Sequence, residues 1–328
     1  MNITVLIPTY RRPQDLLRCL EALTKQSRSP DDVLIVVRDS DRDTWEAIAS
    51  LPSDQLPLRT VSVTIPGQVA ALNTGLAAAR GDIIAITDDD AAPRPHWLER
   101  IAYHFERDDA VGGVGGRDWL YVGGTDRDDG KSAVVGRVQW FGRVVGRHNL
   151  GFGEPREVEI LKGANMSYRR QAIATAKFDT RLRGAGAQVH NDLAFSLAVK
   201  RRGWKLIYDP AADIDHYQAQ RFDEDQRDQF NETAFFNAVH NETIALLDYL
   251  SPWRRIVFLL WAFLVGTRKA FGLVQWLRFL LKDGGFAGRK LVISLKGRWE
   301  GFQTWRRPPS DRSPQDGAAL SVPPSSSS

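Results

Sequence analysis

Short apolar segments alternate with helical patterns through residues 3–87, and this alternation limits the possible folds more than any other feature of the sequence. The strand patterns are ITVLI (3–7), DVLIVV (32–37), RTVSVTI (59–65) and DIIAIT (82–87). The helical patterns are residues 16–23, a short segment around Trp45, and GQVAALNTGLAAAR (67–80). Buried strands separated by helices predict an α/β fold with a mainly parallel, Rossmann-like sheet that helices cover on both faces.

Polar or turn-forming residues follow three of these strands. In open parallel sheets ligands bind at the carboxyl ends of the strands, because the loops there border one crevice. The residues at these ends are Pro8, Thr9 and Tyr10 after the first strand, Asp39 after the second, and Asp88, Asp89 and Asp90 after the fourth. The sequence therefore predicts a ligand site at this edge of the sheet.

The three adjacent aspartates in TDDDAAPRPHWL (87–98) are the strongest local indication of chemistry. Adjacent carboxylates repel one another, so keeping them ionised is costly unless a cation or hydrogen-bond donors compensate. Mg²⁺ or Mn²⁺ bridging a substrate diphosphate suits such oxygen ligands and would neutralise charge on a departing phosphate. The alternative is a solvated acidic turn ahead of a helix that begins near Pro95.

The chain from about 108 to 220 is rich in glycine and less regular. Its clearest elements are a helical stretch, NDLAFSLAVKRRGW (191–204), and the strand KLIYDP (205–210). The segment GGVGGR (112–117) does not follow the first strand and lacks GxGxxG spacing, which excludes a dinucleotide site there. Beyond Phe222 the pattern predicts a long helix or a pair of helices up to Leu250.

Charge is segregated along the chain. Residues 251–307 contain twelve Lys or Arg and two Asp or Glu, a net +10, whereas residues 1–250 carry −5 within an overall +4. A basic segment behind an acidic body indicates that this segment meets an anionic surface or ligand. No nucleic-acid partner is expected, because the basic residues are interleaved with long apolar runs.

The basic segment contains the apolar run IVFLLWAFLVG (256–266), which is shorter than the roughly 20 residues that span a bilayer. Extended as one helix, the run would gather four polar side chains on one face: Arg268, Gln275, Arg278 and Lys282. That pattern is typical of a helix lying in a membrane interface. The alternative is a helix packed on the core of the body, which leaves the basic excess unexplained.

The termini and the cysteine content bear on location. MNITVLIPTY has no basic n-region and no small-residue cleavage site, so no export sequence is predicted. The single cysteine, Cys19, excludes an internal disulfide and is expected to be a small buried residue of a helix. We therefore expect a cytoplasmic protein held peripherally on the inner face of the cell membrane. The tail, 308–328, has the composition of disorder.

Several segments occur together in the order and spacing of one known family. They are VLIPTYRRP, GQVAALNTGLAAARGDIIAITDDDAAPRPHWL, KGANMSYRR and NDLAFSLAVKRRGWKLIYDP, followed by His216 and Arg221. In these motifs the sequence resembles the family 2 glycosyltransferases, which have the GT-A fold and use nucleotide-sugar donors. The resemblance covers residues 3 to about 220.

The resemblance and the composition together predict three regions. Residues 1–222 would form a GT-A catalytic domain, with a nucleotide-binding half at 1–107 and an acceptor and catalytic half at 108–222. Residues 223–307 would form a helical, basic, amphipathic extension that associates with the membrane. The disordered tail would follow.

The resemblance also implies which residues bind the donor and the metal. The implied nucleotide-sugar-binding residues are Pro8, Thr9, Tyr10, Asp39, Asp88, Asp89, Gly163, Ala164 and Asn165. Within this set Asp39 would hydrogen-bond the base, and Asp88 would be the first acid of a DxD motif near the ribose and diphosphate. Asp90 and His216 would hold the divalent metal, Mn²⁺ or Mg²⁺.

Asp192 is the residue that the resemblance assigns as general base. A base takes the proton of the acceptor hydroxyl as its oxygen attacks the anomeric carbon, and a single displacement then inverts that carbon. The alternative role is a helix N-cap, for which Asp is well suited. The position before it holds Asn191, preceded by His190, where the family often has Glu or Asp.

The sequence therefore predicts an inverting glycosyltransferase that moves a sugar from a nucleotide-diphosphate sugar to a hydroxyl of a glycan or lipid-linked acceptor. One alternative is a catalytically inactive nucleotide-sugar-binding protein docked on the membrane, which only Asn191 supports. A nucleotidyltransferase is a further alternative, but it needs a Gly-rich basic loop after the first strand, and IPTYRRP is a poor match.

Overall fold

The computed structural model describes residues 1–52, 55–122, 125–126, 130–226 and 229–307. The predicted tail lies outside the described residues. The strands are β1 (Ile3–Thr9), β2 (Asp32–Arg38), β3 (Leu58–Val63), β4 (Ile83–Thr87), β5 (Ala91–Pro93), β6 (Val111–Val122), β7 (Thr125–Asp126), β8 (Arg137–Val138), β9 (Val144–Val145), β10 (Arg156–Val158), β11 (Asn165–Arg169), β12 (Lys205–His216), β13 (Gly266–Thr267) and β14 (Ala270–Phe271). The helices are α1 (Pro13–Thr24), α2 (Arg42–Ala49), α3 (Gln68–Ala78), α4 (Trp97–Arg107), α5 (Arg170–Ile173), α6 (Asn191–Arg201), α7 (Glu232–Tyr249), α8 (Pro252–Leu264), α9 (Leu273–Asp283) and α10 (Gly285–Arg306).

One large sheet organises the described residues, with the strand order β10-β12-β6-β11-β4-β1-β2-β3 and with β5 beside β12 and β7 beside β6. Strands β1 to β4 are parallel, and β6 and β12 share their direction because β11 runs antiparallel to both β4 and β6. The predicted mainly parallel sheet is confirmed. Its antiparallel members, β5, β7, β10 and β11, all come after the alternating first part of the chain.

Helices cover both faces of the sheet, as predicted. Along β1 the side chains of Val5 and Ile7 face a core that contains Leu16 of α1 and Trp97 of α4. On the opposite face Leu6 packs in a second core with residues of α3 and α6. All seven residues of β1 are buried, which explains why its sequence is a continuous apolar run rather than an alternating one.

The glycine-rich segment GGVGGR (112–117) forms the interior of β6. A Cβ added at Gly116 would lie 1.8 Å from the carbonyl oxygen of Ala212, and one at Gly115 would lie 2.5 Å from that of Asn165. These glycines therefore allow close backbone approach at neighbouring strands. The segment is a strand interior and not a phosphate-binding turn.

The helix predicted to start near Phe222 begins ten residues later, at Glu232. The side chain of Asn231 accepts hydrogen bonds from the backbone N–H groups of Thr233 and Ala234, which fixes the start of α7. The preceding polar segment makes its own contacts, such as the ion pair of Arg221 with Asp225.

The single amphipathic helix predicted through Lys282 is wrong, because the chain makes a β-hairpin between α8 and α9. Gly266 has φ +67°, and a Cβ there would lie 2.2 Å from the backbone nitrogen of Gly272. Glycine allows this conformation and this close approach, and both interrupt the helix. Arg268 therefore lies in the hairpin turn, and Gln275 and Arg278 lie on α9.

One side of the C-terminal helical region packs on the body. Phe258 and Ala262 of α8 join Leu193 of α6 and Leu246 of α7 in a shared core. The opposite side of α8 and α9 is exposed apolar surface: Trp253, Ile256, Leu260, Leu277 and Leu281 are each more than half exposed. Among the described helices, none is long and apolar enough to cross a membrane.

Candidate active site

The acidic triplet lies at the carboxyl end of β4, and its three members have different surroundings. Asp88 is partly exposed, and its Oδ1 accepts a hydrogen bond of 3.2 Å from Gln68 Nε2. Asp89 and Asp90 are buried. Thr9, at the end of β1, donates its hydroxyl to Asp89 at 2.9 Å. The predicted convergence of the β1 and β4 ends is therefore present.

Arg12 is a member of this cluster that sequence reasoning missed. Its Nη1 lies 2.9 Å from Asp89 Oδ1 and 3.7 Å from Asp90 Oδ2. Its Nε and Nη2 donate to the carbonyl oxygen of Gln220, which ties the β1–α1 loop to the segment after β12. The RRP sequence after the first strand was the available indication, but only the fold brings Arg12 to the triplet.

The triplet holds more negative charge than Arg12 neutralises. Burial, aided by the neighbouring charges of Asp90 and Asp88, raises the pKa of Asp89 to about 7, against the opposing effect of Arg12. Such a raised pKa means that ionising the whole triplet at neutral pH is costly. A bound cation would lower that cost.

Asp88, Asp90 and His216 form a group that fits a metal ion. One ligand atom of each lies within 4.8 Å of the others. His216 is the last residue of β12, and the antiparallel pairing of β12 with β5 places it opposite Ala91, next to the triplet. Two carboxylates and one imidazole form a donor set that accepts Mn²⁺ or another divalent ion of this size.

His216 is buried between carboxylates. Its Nε2 lies 3.2 Å from Asp90 Oδ1, and its Nδ1 lies 3.7 Å from Asp118 Oδ2. Burial alone would lower the pKa of His216, but Asp90 and Asp118 raise it to about 9. Lys162 forms an ion pair with Asp118 on the other side. The two carboxylates therefore favour the positively charged form of His216.

Asp192 lies in the first turn of α6. Its Oδ2 accepts a hydrogen bond of 3.1 Å from the backbone N–H of Gly163, and its Oδ1 accepts one of 2.8 Å from that of Leu193. The cap position itself belongs to His190, whose left-handed backbone (φ 75°) carries no side-chain cap bond. The carboxylate is thus oriented by two backbone donors.

An open cavity of about 980 Å³ connects these groups. Five of the predicted site residues line it: Asp88, Gly163, Ala164, Asp192 and His216. Gln68, Asn191 and His190 also line it. The structure therefore brings the predicted base, the first acid of the triplet and the predicted donor loop to the same cavity.

The remaining predicted site residues lie outside the lining of this cavity. Pro8 and Thr9 are buried at the end of β1, Tyr10 is exposed beside Phe222, and Asp39 is exposed at the end of β2. The side chain of Asn165 is used in the core, where it accepts from Trp97 and donates to the carbonyl of Ala212. The roles of these residues in donor binding stay predictions.

Five basic residues at the cavity rim were not predicted as site residues. They are Arg143, Arg147, Arg268, Lys269 and Arg278, and all are exposed. The sequence showed the basic excess of the C-terminal segment and assigned it to a membrane-facing helix. The hairpin between α8 and α9 places Arg268 and Lys269 at the cavity, and α9 places Arg278 there.

The chain thus combines a mainly parallel α/β sheet, a group of acids at the end of a strand and an open cavity beside that group. The family model Glycosyl transferase family 2 matches residues 4–175, just over half of the chain. The protein therefore belongs to glycosyl transferase family 2.

Curated relatives agree with this membership. An uncharacterised glycosyltransferase of Nostoc sp. is 32% identical over 114 residues, which are 34% of this chain and 35% of the relative. A glucosyl-dolichyl phosphate glucuronosyltransferase of Haloferax volcanii is 25% identical over 66% of this chain and 69% of the relative. The match spans only about a third of the length of the Nostoc relative.

Solved structures share the fold. The mannosyltransferase PcManGT of Pyrobaculum calidifontis, in complex with GDP-Man and Mn²⁺, has a TM-score of 0.55 and 17% identity over 91% of this chain and 87% of that one. S. aureus TarS, in complex with UDP-GlcNAc, has a TM-score of 0.57 and 16% identity over 93% and 90% of the two chains. The predicted GT-A type of fold is confirmed.

Proposed function

We propose that the protein is an inverting glycosyltransferase that moves a sugar from a nucleotide-diphosphate donor to a hydroxyl of a glycan or lipid-linked acceptor. The observation that carries the proposal is that Asp88, His216 and Asp192 line the same cavity. This arrangement supplies an anchor for a diphosphate leaving group and a base for the attacking hydroxyl in one space. The nucleotide-sugar complexes of the two structural neighbours support the choice of donor.

The acidic triplet and His216 would hold the donor's diphosphate through a divalent ion. Asp88, Asp90 and His216 are the ligands that the geometry offers, and Mn²⁺ or Mg²⁺ would supply positive charge to stabilise the leaving diphosphate. Pro8, Thr9, Tyr10 and Asp39 are proposed to bind the nucleotide from the adjacent strand ends. Arg12 forms an ion pair with Asp89, which opposes the rise in the pKa of that carboxyl, and holds the loop after β1 against Gln220.

Asp192 would accept the proton of the acceptor hydroxyl. The N–H groups of Gly163 and Leu193 fix the orientation of its carboxylate, which leaves its remaining lone pairs available to the cavity. As the hydroxyl oxygen bonds to the anomeric carbon, the bond to the diphosphate oxygen breaks and the proton passes to Asp192. One displacement of this kind inverts the anomeric configuration.

The test compares Asp90→Asn and Asp192→Asn with Asp43→Asn, a change at an exposed position of α2. We expect one nucleoside diphosphate to stabilise the wild type against heat in the presence of Mn²⁺. Asp90→Asn should lose this stabilisation. Asp192→Asn should keep it and should lose transfer of labelled sugar to a membrane-lipid or glycan extract by about 10²-fold or more. The control should behave as the wild type.

Two outcomes would overturn parts of the proposal. Normal transfer by Asp192→Asn would remove that residue as the base. Stabilisation of the wild type by a donor, without transfer to any extract, would identify a nucleotide-sugar-binding protein without catalytic activity.

We also propose that α8 and α9 bind the surface of a membrane, with the protein on the cytoplasmic side. The exposed apolar residues of α8, Trp253, Ile256 and Leu260, recur at helical spacing on the side opposite the buried Phe258. The net charge of +10 over residues 251–307 complements anionic lipid.

Sedimentation with anionic liposomes tests this location. We expect Ile256→Ser with Leu260→Ser to weaken liposome binding, whereas Tyr103→Ser, at an exposed position of α4, should leave it unchanged. Equal binding by the double variant and the wild type would contradict the proposal.

A further inference from the structure

The five basic residues that line the cavity mouth form what we call the basic rim: Arg143, Arg147, Arg268, Lys269 and Arg278. They come from two segments that are distant in the sequence. Contacts with α8 hold these segments together: the rings of Phe141 and Trp261 lie 5.1 Å apart, and Arg254 donates to the carbonyl of Trp140 at 2.9 Å. The rim is therefore a property of the tertiary structure.

The side chains of the basic rim form no ion pair with an acid among the described residues, and Lys269 acts only at longer range on Glu242 of the same cavity lining. Among the described residues, no carboxylate oxygen lies within 4.0 Å of the charged nitrogens of these five side chains. Two other basic residues of the cavity lining are paired, Lys162 with Asp118 and Arg221 with Asp225. Five like charges around one opening repel one another, and an anion bound among them would relieve that repulsion.

The position of the basic rim points to the acceptor rather than to the donor. The proposed nucleotide-binding residues Pro8, Thr9, Tyr10 and Asp39 lie outside the cavity lining, at the ends of β1 and β2, whereas Asp88 and His216, which would anchor the donor diphosphate, line the cavity. The proposed base, Asp192, lies inside the cavity that the rim surrounds. A ligand that reaches the base through this mouth passes the five positive charges.

We propose that the basic rim binds the phosphate or diphosphate group of the acceptor, an inference that rests on the proposed transferase function. Guanidinium groups bind phosphate through paired, charge-assisted hydrogen bonds, and four of the five residues are arginines. Arg268 and Arg278 also lie 5.8 and 5.7 Å from the ring of Phe279, which limits their side-chain freedom.

The surroundings of the basic rim fit an acceptor that is anchored in lipid. Arg268 and Lys269 lie in the hairpin that joins α8 to α9, and these helices carry the exposed apolar residues. A lipid tail held at that surface would place its phosphate next to the rim and its sugar in the cavity. A soluble phosphorylated acceptor would satisfy the same charges without the apolar surface.

The test measures binding of fluorescent farnesyl diphosphate to the full chain in EDTA, so that no metal ion can hold the probe at the acidic triplet. The matched probe is fluorescent farnesol, and unlabelled pyrophosphate serves as competitor. The variant is Arg268→Gln with Arg278→Gln. The control is Arg289→Gln on α10, whose side chain pairs with Glu232 outside the cavity lining.

We expect the wild type and the control to bind farnesyl diphosphate at least about tenfold more tightly than farnesol, since charged hydrogen bonds to phosphate contribute at this level. The double variant should lose at least about tenfold in affinity for the diphosphate and little for farnesol. A diphosphate affinity that is equal in the double variant and the wild type overturns the proposal, as does equal binding of the two probes by the wild type.

The competition arm distinguishes the two sources of phosphate. Weak competition by pyrophosphate supports a lipid-linked acceptor, whereas competition as strong as that of unlabelled farnesyl diphosphate supports a soluble phosphorylated one. Either result of the competition measurement supports the basic rim as the phosphate-binding site.

A separate measurement distinguishes failure of this inference from failure of the proposed function. The double variant should keep the Mn²⁺-dependent stabilisation by the donor nucleotide, which also shows that it is folded. If the double variant is folded but loses that stabilisation, the basic rim holds the donor diphosphate and the acceptor assignment is wrong. If neither protein is stabilised by any nucleotide, the proposed function fails.

Discussion

Asn191 and Asp192 are adjacent at the start of α6, but their side chains make different contacts. The carboxylate of Asp192 is held by backbone N–H groups, whereas the amide nitrogen of Asn191 donates to three oxygen atoms, of Gln68, Ala187 and Gln188. Asn191 Oδ1 is buried without a hydrogen-bond partner among the described residues. The amide nitrogen at position 191 can donate to these three acceptors, whereas a carboxylate at the same position could not.

At the residue scale we predict that Asn191→Asp lowers the free energy of unfolding by about 2–3 kcal/mol, because a buried carboxylate would face three acceptor oxygens. The matched control is Asn231→Asp, where the side chain caps α7 by accepting two N–H groups and Asp caps equally well. Urea unfolding of both variants at neutral pH gives the comparison. Equal stability of Asn191→Asp and the wild type would show that our account of these contacts is wrong.

At the scale of elements, the long helix α10 packs closely on α7 through glycine. A Cβ added at Gly301 would lie 2.8 Å from the carbonyl oxygen of His240 and 2.8 Å from Thr243 Cβ, and one at Gly297 would lie 3.0 Å from Val239 Cβ. Arg298, between the two glycines, forms an ion pair with Glu242 of α7 at 2.5 Å. These contacts join α10 to the helix that packs against α6.

We predict opposite effects for two glycine substitutions in α10. Gly301→Ala should lower the free energy of unfolding by about 1 kcal/mol, because overpacking against α7 exceeds the gain of roughly 1 kcal/mol in helix propensity. Gly288→Ala, where an added Cβ meets nothing within 4 Å, should raise it by about 0.5–1 kcal/mol. Thermal unfolding measures both. Stabilisation by both substitutions would contradict close packing at Gly301.

At the scale of the whole molecule, a buried carboxylate links the helical layer to the sheet. Asp209 of β12 accepts hydrogen bonds from Arg100 at 2.6 Å and contacts His104 at 2.7 Å, both on α4. Burial alone would raise the pKa of Asp209, but His104, the backbone N–H of Ala211 and Arg100 together hold it below its usual value. Because the folded state favours the ionised form of Asp209, this carboxylate stabilises the fold at pH values above its pKa in the unfolded chain. The stabilisation is lost as the pH falls and the carboxylate is protonated.

We therefore predict that Asp209→Asn lowers the free energy of unfolding by roughly 3 kcal/mol at neutral pH, as expected when one partner of a buried ion pair is removed. The difference from the wild type should shrink as the pH falls below about 4, where the wild-type carboxylate becomes protonated. Urea unfolding over a pH series measures this, with the exposed Asp43→Asn as control. A difference that is constant with pH would exclude the ionised Asp209 as its cause.

The strands and helices of the first part of the chain could be predicted from sequence, because their patterns are local. The run ITVLI is buried on both faces of the sheet, and the Ala-rich segment after Gly67 forms α3, as its composition indicates. The position of the acidic triplet could also be predicted, because a turn directly after a buried strand must lie at the edge of the sheet. The placement of Asp192 in the cavity agrees with the position that the family motif indicated.

Contacts between distant segments could not be predicted in this way. Arg12 reaches Asp89 across 77 positions of sequence, and the basic rim combines residues near 145 with residues near 270. The sequence contained the basic excess and the apolar run, but one glycine conformation at Gly266 turned a predicted helix into a hairpin and redirected Arg268.

By itself, then, the sequence determined the class of fold, the position of the acids at the strand end and the family. The spacing of apolar residues, the turn residues and the spacing within motifs are all properties of residues that are near one another in the sequence. The tertiary structure decided which charges are neutralised and which remain at the cavity. Electrostatic interaction depends on distance and burial in space, and for Arg12, Asp118 and the basic rim these are set by chain segments that the local pattern does not connect.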